Sequence, residues 1–232
     1  MSVSQRYRVF IAPPAYCMLC VVGLSGSFHR AFPDVLLIGY EFTNTVVMTE
    51  LNSSLNRLAL EVVAALRDQK RRLVLAESCT GGLLASTLAQ ISGVSEVFCG
   101  SAVTYRNETK AEWIDVSREI LANPTIGPVS SIVADQMCRG VLDHTSEADL
   151  AASITGHLGP NAPPELDGVI YIGVWSRGSP APEIEKRMVS AIPPDGVLLR
   201  EYRRVEAARF VLQRVLNELL HSNRSEESPE SL

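Results

Sequence analysis

"LAESCTGG", residues 75–82, decides how this chain is read. It overlaps an apolar run, "LVLA" at 73–76, too short for a helix and suited to a buried strand. After it, Leu83, Leu84, Leu88 and Ile91 recur at helical spacing. The octet is therefore the turn between a strand and a helix, and Gly81 and Gly82 open that helix. The first N–H groups of a helix lack intrahelical acceptors, and that end carries partial positive charge. A serine, a cysteine, a threonine and free backbone donors thus meet at one strand end, which reads as a site more than as core.

The same alternation continues outward. Upstream, Leu55, Leu58, Val62 and Leu66 form an amphipathic stripe, capped by Ser53 or Ser54 and closed by "DQKRR" at 68–72. Downstream, "VFCGSAVTY" at 97–105 reads as a strand and "NETKAEWI" at 107–114 as a short helix capped by Asn107. A Gly-Pro turn at 127–128 precedes a helix capped by Ser130 or Ser131, with Val133, Met137 and Val141 on one face. Strands are expected at 148–155, 169–175 and 183–190, with the glycine-rich turn "TGHLGPNAPPELDG" at 155–168 after the first. A last long helix carries Ala207, Val211, Val215 and Leu219 in a row. Strands alternating with helices predict an α/β fold: a three-layer α/β/α domain with a central, mostly parallel or mixed sheet. Ligands of such sheets gather beyond the strand ends, here in the loops 77–82, 105–110 and 155–160.

The working domain is placed at 48–222, followed by a polar tail at 223–232 expected to be disordered. Residues 1–47 read as an extension outside the working domain, either poorly ordered or translated from a start upstream of Met48. The alternatives are a packed accessory segment and a targeting segment, though Pro13 and Pro14 interrupt its apolar region. The stretch before Met48 shows one strand-like piece and no helical period. Apolar residues make up 46% of the 232 and charged residues 20%, a composition that supplies a core of normal size. The net charge of −5 comes without a dense basic run, which argues against nucleic acid as the partner. No apolar run reaches the roughly 18 residues that span a bilayer, so no membrane partner is expected. The five cysteines have no framework spacing and read as reduced cytosolic thiols. The lone C-x-x-C at Cys17 and Cys20 has no second pair, and no metal site is expected.

Four motifs in order carry a resemblance: "AESCTGG" at 76–82, "G-x-x-x-T-Y-x-N-E-x-K" at 100–110, "GPVS" at 127–130 and "S-I-T-G-x-x-G-P" at 153–160. Together they resemble the C-terminal domain of CinA, the family of nicotinamide mononucleotide deamidases, over roughly residues 50–220. The resemblance implies hydrolysis of that nucleotide's carboxamide to nicotinic acid mononucleotide and ammonia. It also implies a cytoplasmic enzyme without a cofactor that self-associates, usually as a dimer. The chain departs from the family pattern in two places. His157 and Leu158 replace small or aliphatic residues and the glycines after Pro160 are gone, while Leu198 and Leu199 stand where the family often has Gly-Asp before its last helix. An inactive nucleotide- or partner-binding module, or an amidohydrolase of another small carboxamide, stands as the alternative.

An amide is a poor electrophile and needs a nucleophile, a base that returns its proton, and donors for the oxyanion. Ser78 is the candidate nucleophile and requires a neighbouring base. His157 is the one histidine in these motifs, which disfavours a Ser-His-Asp triad. A desolvated lysine can lose its proton, so Lys110 can serve as base. Tyr105 could relay the proton or orient the serine, and the resemblance supports a Ser-Lys-Tyr grouping. Which group takes the first proton stays open, as does direct attack by water. The N–H groups of Thr80, Gly81 and Gly82 could hold the oxyanion or a phosphate. Thr155 and Gly156 offer a second set of donors, and Asn107 also lies among the expected substrate-binding residues. Arg204, or Arg200, could grip a phosphate bidentately. Glu77 could orient Lys110 or satisfy backbone groups. Cys79 points away from Ser78 in a strand and reads as packing.

Overall fold

The computed structural model describes the backbone of residues 33–226 and the side chains of residues 47–221. The Cys17–Cys20 pair and the last six residues of the polar tail lie outside the described residues. Five strands form one mixed sheet in the order β2-β1-β3-β4-β5. They are β1 (Leu73–Glu77), β2 (Phe98–Val103), β3 (Leu150–Gly156), β4 (Val169–Ser176) and β5 (Glu183–Met188). β1 runs parallel to both β2 and β3, while β4 and β5 are antiparallel additions.

Strand alternation divides the interior into two cores. Leu73 and Leu75 of β1, with Leu150, Ala152 and Ile154 of β3, face one side. There they pack against α1 (Pro33–Asp68), α2 (Leu83–Ala89) and α6 (Leu199–Glu226). Val74, Ala76 and Ala151 face the other side, against α3 (Asn107–Ile114), α4 (Arg118–Ala122) and α5 (Ser131–Asp143). Helices thus cover both faces of the sheet. The stripe Ala207, Val211, Val215 and Leu219 of α6 is fully buried. On the other face, Gly140 of α5 lets α3 approach: a Cβ there would stand 1.9 Å from the Ile114 carbonyl oxygen. That close approach fixes the helix that carries Lys110.

Several local expectations are corrected. α1 begins at Pro33, not near residue 53, and crosses the expected boundary at residue 48. Proline suits the first helical position. Ser53 and Ser54 are not caps but exposed mid-helix residues, where serine costs little. α2 begins one residue later than read, with Gly82 as its left-handed cap at φ 88°. Asn107 does not cap α3 but is its first residue and is exposed. Instead the Thr109 hydroxyl accepts from the Arg106 N–H at 3.3 Å and donates to its carbonyl at 2.9 Å. α4 is a helix beyond those expected, and its start signal is present: the Ser117 side chain accepts from the Ile120 N–H. Ser130, one of the two expected caps, receives the Val133 N–H at α5. α6 runs through Glu226, four residues into the expected tail.

Candidate functional site

The site lies beyond the C-terminal ends of the parallel strands, the usual place for ligands in such a sheet. The chain leaves β1 with the Ser78 N–H donating to the Ile154 carbonyl at 3.1 Å, which ties the octet to the end of β3. The end of β2 is tied in as well, because the Thr104 N–H donates to the Glu77 carbonyl at 2.8 Å. Strand parity then distributes three consecutive side chains. Glu77 and Cys79 point toward the α1–α2–α6 face, and Ser78 points toward the α3 side.

Lys110 meets Ser78 there. Its ammonium Nζ donates to Ser78 Oγ at 3.0 Å and to the Thr104 carbonyl at 2.8 Å. Lys110 is 2% exposed and Ser78 7%. Burial, with no carboxylate partner among the described residues, pushes the Lys110 pKa down to about 8. At pH 7 about one lysine in ten is then the free amine, a fraction several hundred times that of an ordinary lysine. Thr104 also carries a buried hydroxyl with no hydrogen-bond partner among the described residues.

Glu77 is the residue whose role the sequence left undecided. Its fully buried carboxylate accepts five hydrogen bonds. The donors are the Thr80 hydroxyl at 2.8 Å, the N–H groups of Gly82, Leu84 and Ala85 at 3.1, 3.1 and 2.9 Å, and the Ser101 hydroxyl at 3.0 Å. It satisfies the start of α2 and does not touch Lys110. The supply of free donors is therefore smaller than the sequence suggests. The Gly82 N–H is committed to Glu77, the Gly81 N–H to the Ser78 carbonyl at 3.1 Å, and the Leu83 N–H to the Thr80 carbonyl at 3.3 Å. The Thr80 N–H has no acceptor among the described residues and lies two residues from Ser78. Cys79 belongs to the core, and burial pushes its thiol up to about 12, against the pull of the nearby Lys110 and Arg200 cations. A thiol held protonated in this way is a poor nucleophile.

The remaining expected residues are placed differently from one another. Tyr105 stands at the rim, 56% exposed, and its hydroxyl accepts from Arg200 Nη2 at 2.7 Å rather than meeting Ser78 or Lys110. Arg200 also donates from Nη1 to the Gly159 carbonyl at 2.6 Å. Arg200, not Arg204, is the arginine beside the site. Arg204 is exposed and has no hydrogen-bond or ion-pair partner among the described residues. Arg203, which the sequence did not single out, is buried in a bidentate pair with Asp167 at 2.7 and 2.8 Å and anchors the 157–168 loop. The buried Thr155 hydroxyl donates to the Pro128 carbonyl at 2.8 Å, so its side chain holds the 127–130 turn. Gly156 permits β4 to come close, since a Cβ there would lie 2.7 Å from the Val169 carbonyl oxygen. A cleft of about 630 Å³ is lined by Asn123, Pro128, Ser131, His157, Glu165 and Tyr171 among others. No group of three or more His, Cys, Asp or Glu that could hold a metal occurs among the described residues. Nor is any described helix long and apolar enough to cross a membrane.

Known proteins share the sequence pattern and the fold of this chain. The CinA C-terminal domain family pattern matches residues 55–192. A CinA-like protein of Dictyoglomus thermophilum is 37% identical over 160 residues, which cover 68% of this chain and 37% of that protein. A CinA-like protein of Syntrophomonas wolfei is 43% identical over 120 residues, covering 50% of this chain and 28% of that protein. The chain thus spans well under half the length of these relatives. Among solved structures, competence damage-inducible protein A (ComA) of Klebsiella pneumoniae superposes with a TM-score of 0.64 at 27% identity, over 72% of this chain and 98% of that one. The competence/damage inducible protein CihA of Agrobacterium tumefaciens gives 0.61 at 28% identity, over 71% and 96%.

Proposed function

The chain belongs to the CinA C-terminal domain family, and from that premise and the site's geometry we propose that it is an amidohydrolase of nicotinamide mononucleotide. One observation carries the reading: a buried lysine with a lowered pKa, 3.0 Å from a serine hydroxyl at the end of a parallel strand. Lys110 in its neutral form accepts the Ser78 proton as Oγ adds to the carboxamide carbon. The oxyanion that forms is placed at the Cys79 and Thr80 N–H groups, the two donors of the octet with no acceptor among the described residues. The C–N bond then breaks while Lys110 returns the proton to the nitrogen, which leaves as ammonia. Water cleaves the Ser78 ester by the reverse use of the same pair. The sum is one carboxamide and one water converted to one carboxylate and one ammonium, the released ammonia taking up the proton that the new acid loses. Arg200 supplies a planar, permanently charged fork at the mouth, suited to the substrate's phosphate.

The test is ammonia release from nicotinamide mononucleotide by the purified chain and by Ser78→Ala and Lys110→Ala. Each variant is expected to lose about a hundred- to ten-thousandfold in turnover while still binding the nucleotide. A wild-type chain that binds the nucleotide without releasing ammonia is a binding module. Activity only on other carboxamides would replace the substrate. Full activity in Ser78→Ala would discard the nucleophile.

A further inference from the structure

We infer that Arg200 is a positioning residue that holds the Tyr105 hydroxyl away from the Ser78–Lys110 pair until an anionic group of the substrate takes over the guanidinium. The inference rests on the amidohydrolase reading and adds to it a reason for demanding a phosphorylated substrate.

Three features support the coupling. First, the backbone beside Tyr105 is fixed on the site. Thr104 receives Lys110 Nζ on its carbonyl at 2.8 Å and gives its N–H to Glu77 at 2.8 Å. The tyrosine therefore pivots on a held backbone, one residue from the Thr104 carbonyl that receives Lys110. Second, the side chain itself is free to swing. It is 56% exposed, and Arg200 is the hydrogen-bond partner that holds its hydroxyl, at 2.7 Å. Exposed side chains change rotamer in picoseconds to nanoseconds. Third, the two edges of the guanidinium have different partners. Nη1 is anchored on the Gly159 carbonyl at 2.6 Å, and Nη2 holds the tyrosine. An arriving phosphomonoester can displace the neutral phenol from Nη2 while Nη1 keeps the arginine in place. A bond between two charges is the stronger one, so the exchange runs toward the anion. The released hydroxyl is then available to the Ser78–Lys110 pair.

Phosphite dianion, added separately from a truncated substrate, tests this. In the wild-type chain, phosphite is expected to raise turnover of nicotinamide riboside, the nucleoside that lacks the phosphate. In Arg200→Ala, nucleoside turnover is expected to lose its response to added phosphite. Tyr105→Phe removes the competitor for the guanidinium but keeps the ring. It is expected to bind phosphite about tenfold more tightly by calorimetry, the size of one hydrogen bond to a charged group. Equal phosphite affinity in wild type and Tyr105→Phe would overturn the inference. So would a wild-type chain that hydrolyses the nucleotide but whose nucleoside turnover ignores phosphite. A chain inactive on the nucleotide would refute the amidohydrolase reading alone, because the affinity comparison needs no turnover.

Discussion

Replacing Lys110 with methionine separates what this site costs the fold from what it provides for chemistry. Methionine has nearly the same length and an apolar tip, so the pocket stays filled. The wild-type lysine has its pKa lowered from 10.5 to about 8 by burial. Below pH 8 both the folded and the unfolded chain carry the proton, and the folded state bears the full penalty of a buried charge. Between pH 8 and 10.5 the unfolded chain holds a proton that the folded chain has released, so stability rises with pH. Above 10.5 the penalty is gone. The drop corresponds to about 3 kcal/mol, gained by the wild type across that window and not by Lys110→Met. The measurement is urea unfolding of both proteins at closely spaced pH values. Subtracting one curve from the other removes titrations elsewhere in the chain. The difference is expected to shift by about 3 kcal/mol in favour of the wild type between pH 7 and 10.5. Parallel curves across that window would mean that Lys110 is not desolvated, and the argument for its role as a base would fall with it.

The same shift sets the rate profile: kcat/KM is expected to rise with pH and level off above about 8, and a plateau already reached at pH 6 would contradict a lysine base. Glu77→Gln keeps the shape but places an NH2 group where backbone N–H groups need acceptors. It is expected to cost about 3 kcal/mol or more in calorimetric stability and to lower turnover; a loss under about 1 kcal/mol would show that the carboxylate is not what holds the octet. Gly140→Ala sets a methyl against the Ile114 carbonyl, and a loss of about 2 kcal/mol in stability is expected. Because α3 carries Lys110, kcat should fall as well, and an unchanged kcat would show that α3 absorbs the shift without moving the lysine.

Local pattern carried much of this protein. The short apolar run "LVLA", period 3.6 after Gly82 and the paired glycines between them require a strand, a turn and a helix in sequence, and that succession requires a layered α/β fold. The four motifs, through the family resemblance they carry, point to Ser78, Tyr105 and Lys110. The limit of α1 was not legible, because exposed serines on a long helix look the same in sequence as serines that cap one. Tertiary structure alone decided which groups meet. Lys110 reaches Ser78 across 32 residues because Gly140 lets α3 approach α5 and because β2 lies beside β1. Arg200 reaches Tyr105 across 95 residues, while Arg204, one helical turn on, remains in solvent. Glu77, a carboxylate whose direction follows from strand parity but whose five partners do not, takes the Gly82 N–H of the octet and the Leu84 and Ala85 N–H groups just beyond it. Hydrogen bonds and desolvation act over a few ångströms, whereas sequence periodicity reports only which face a residue occupies. Elements can therefore be read along the chain, and contacts between them depend on how those faces pack.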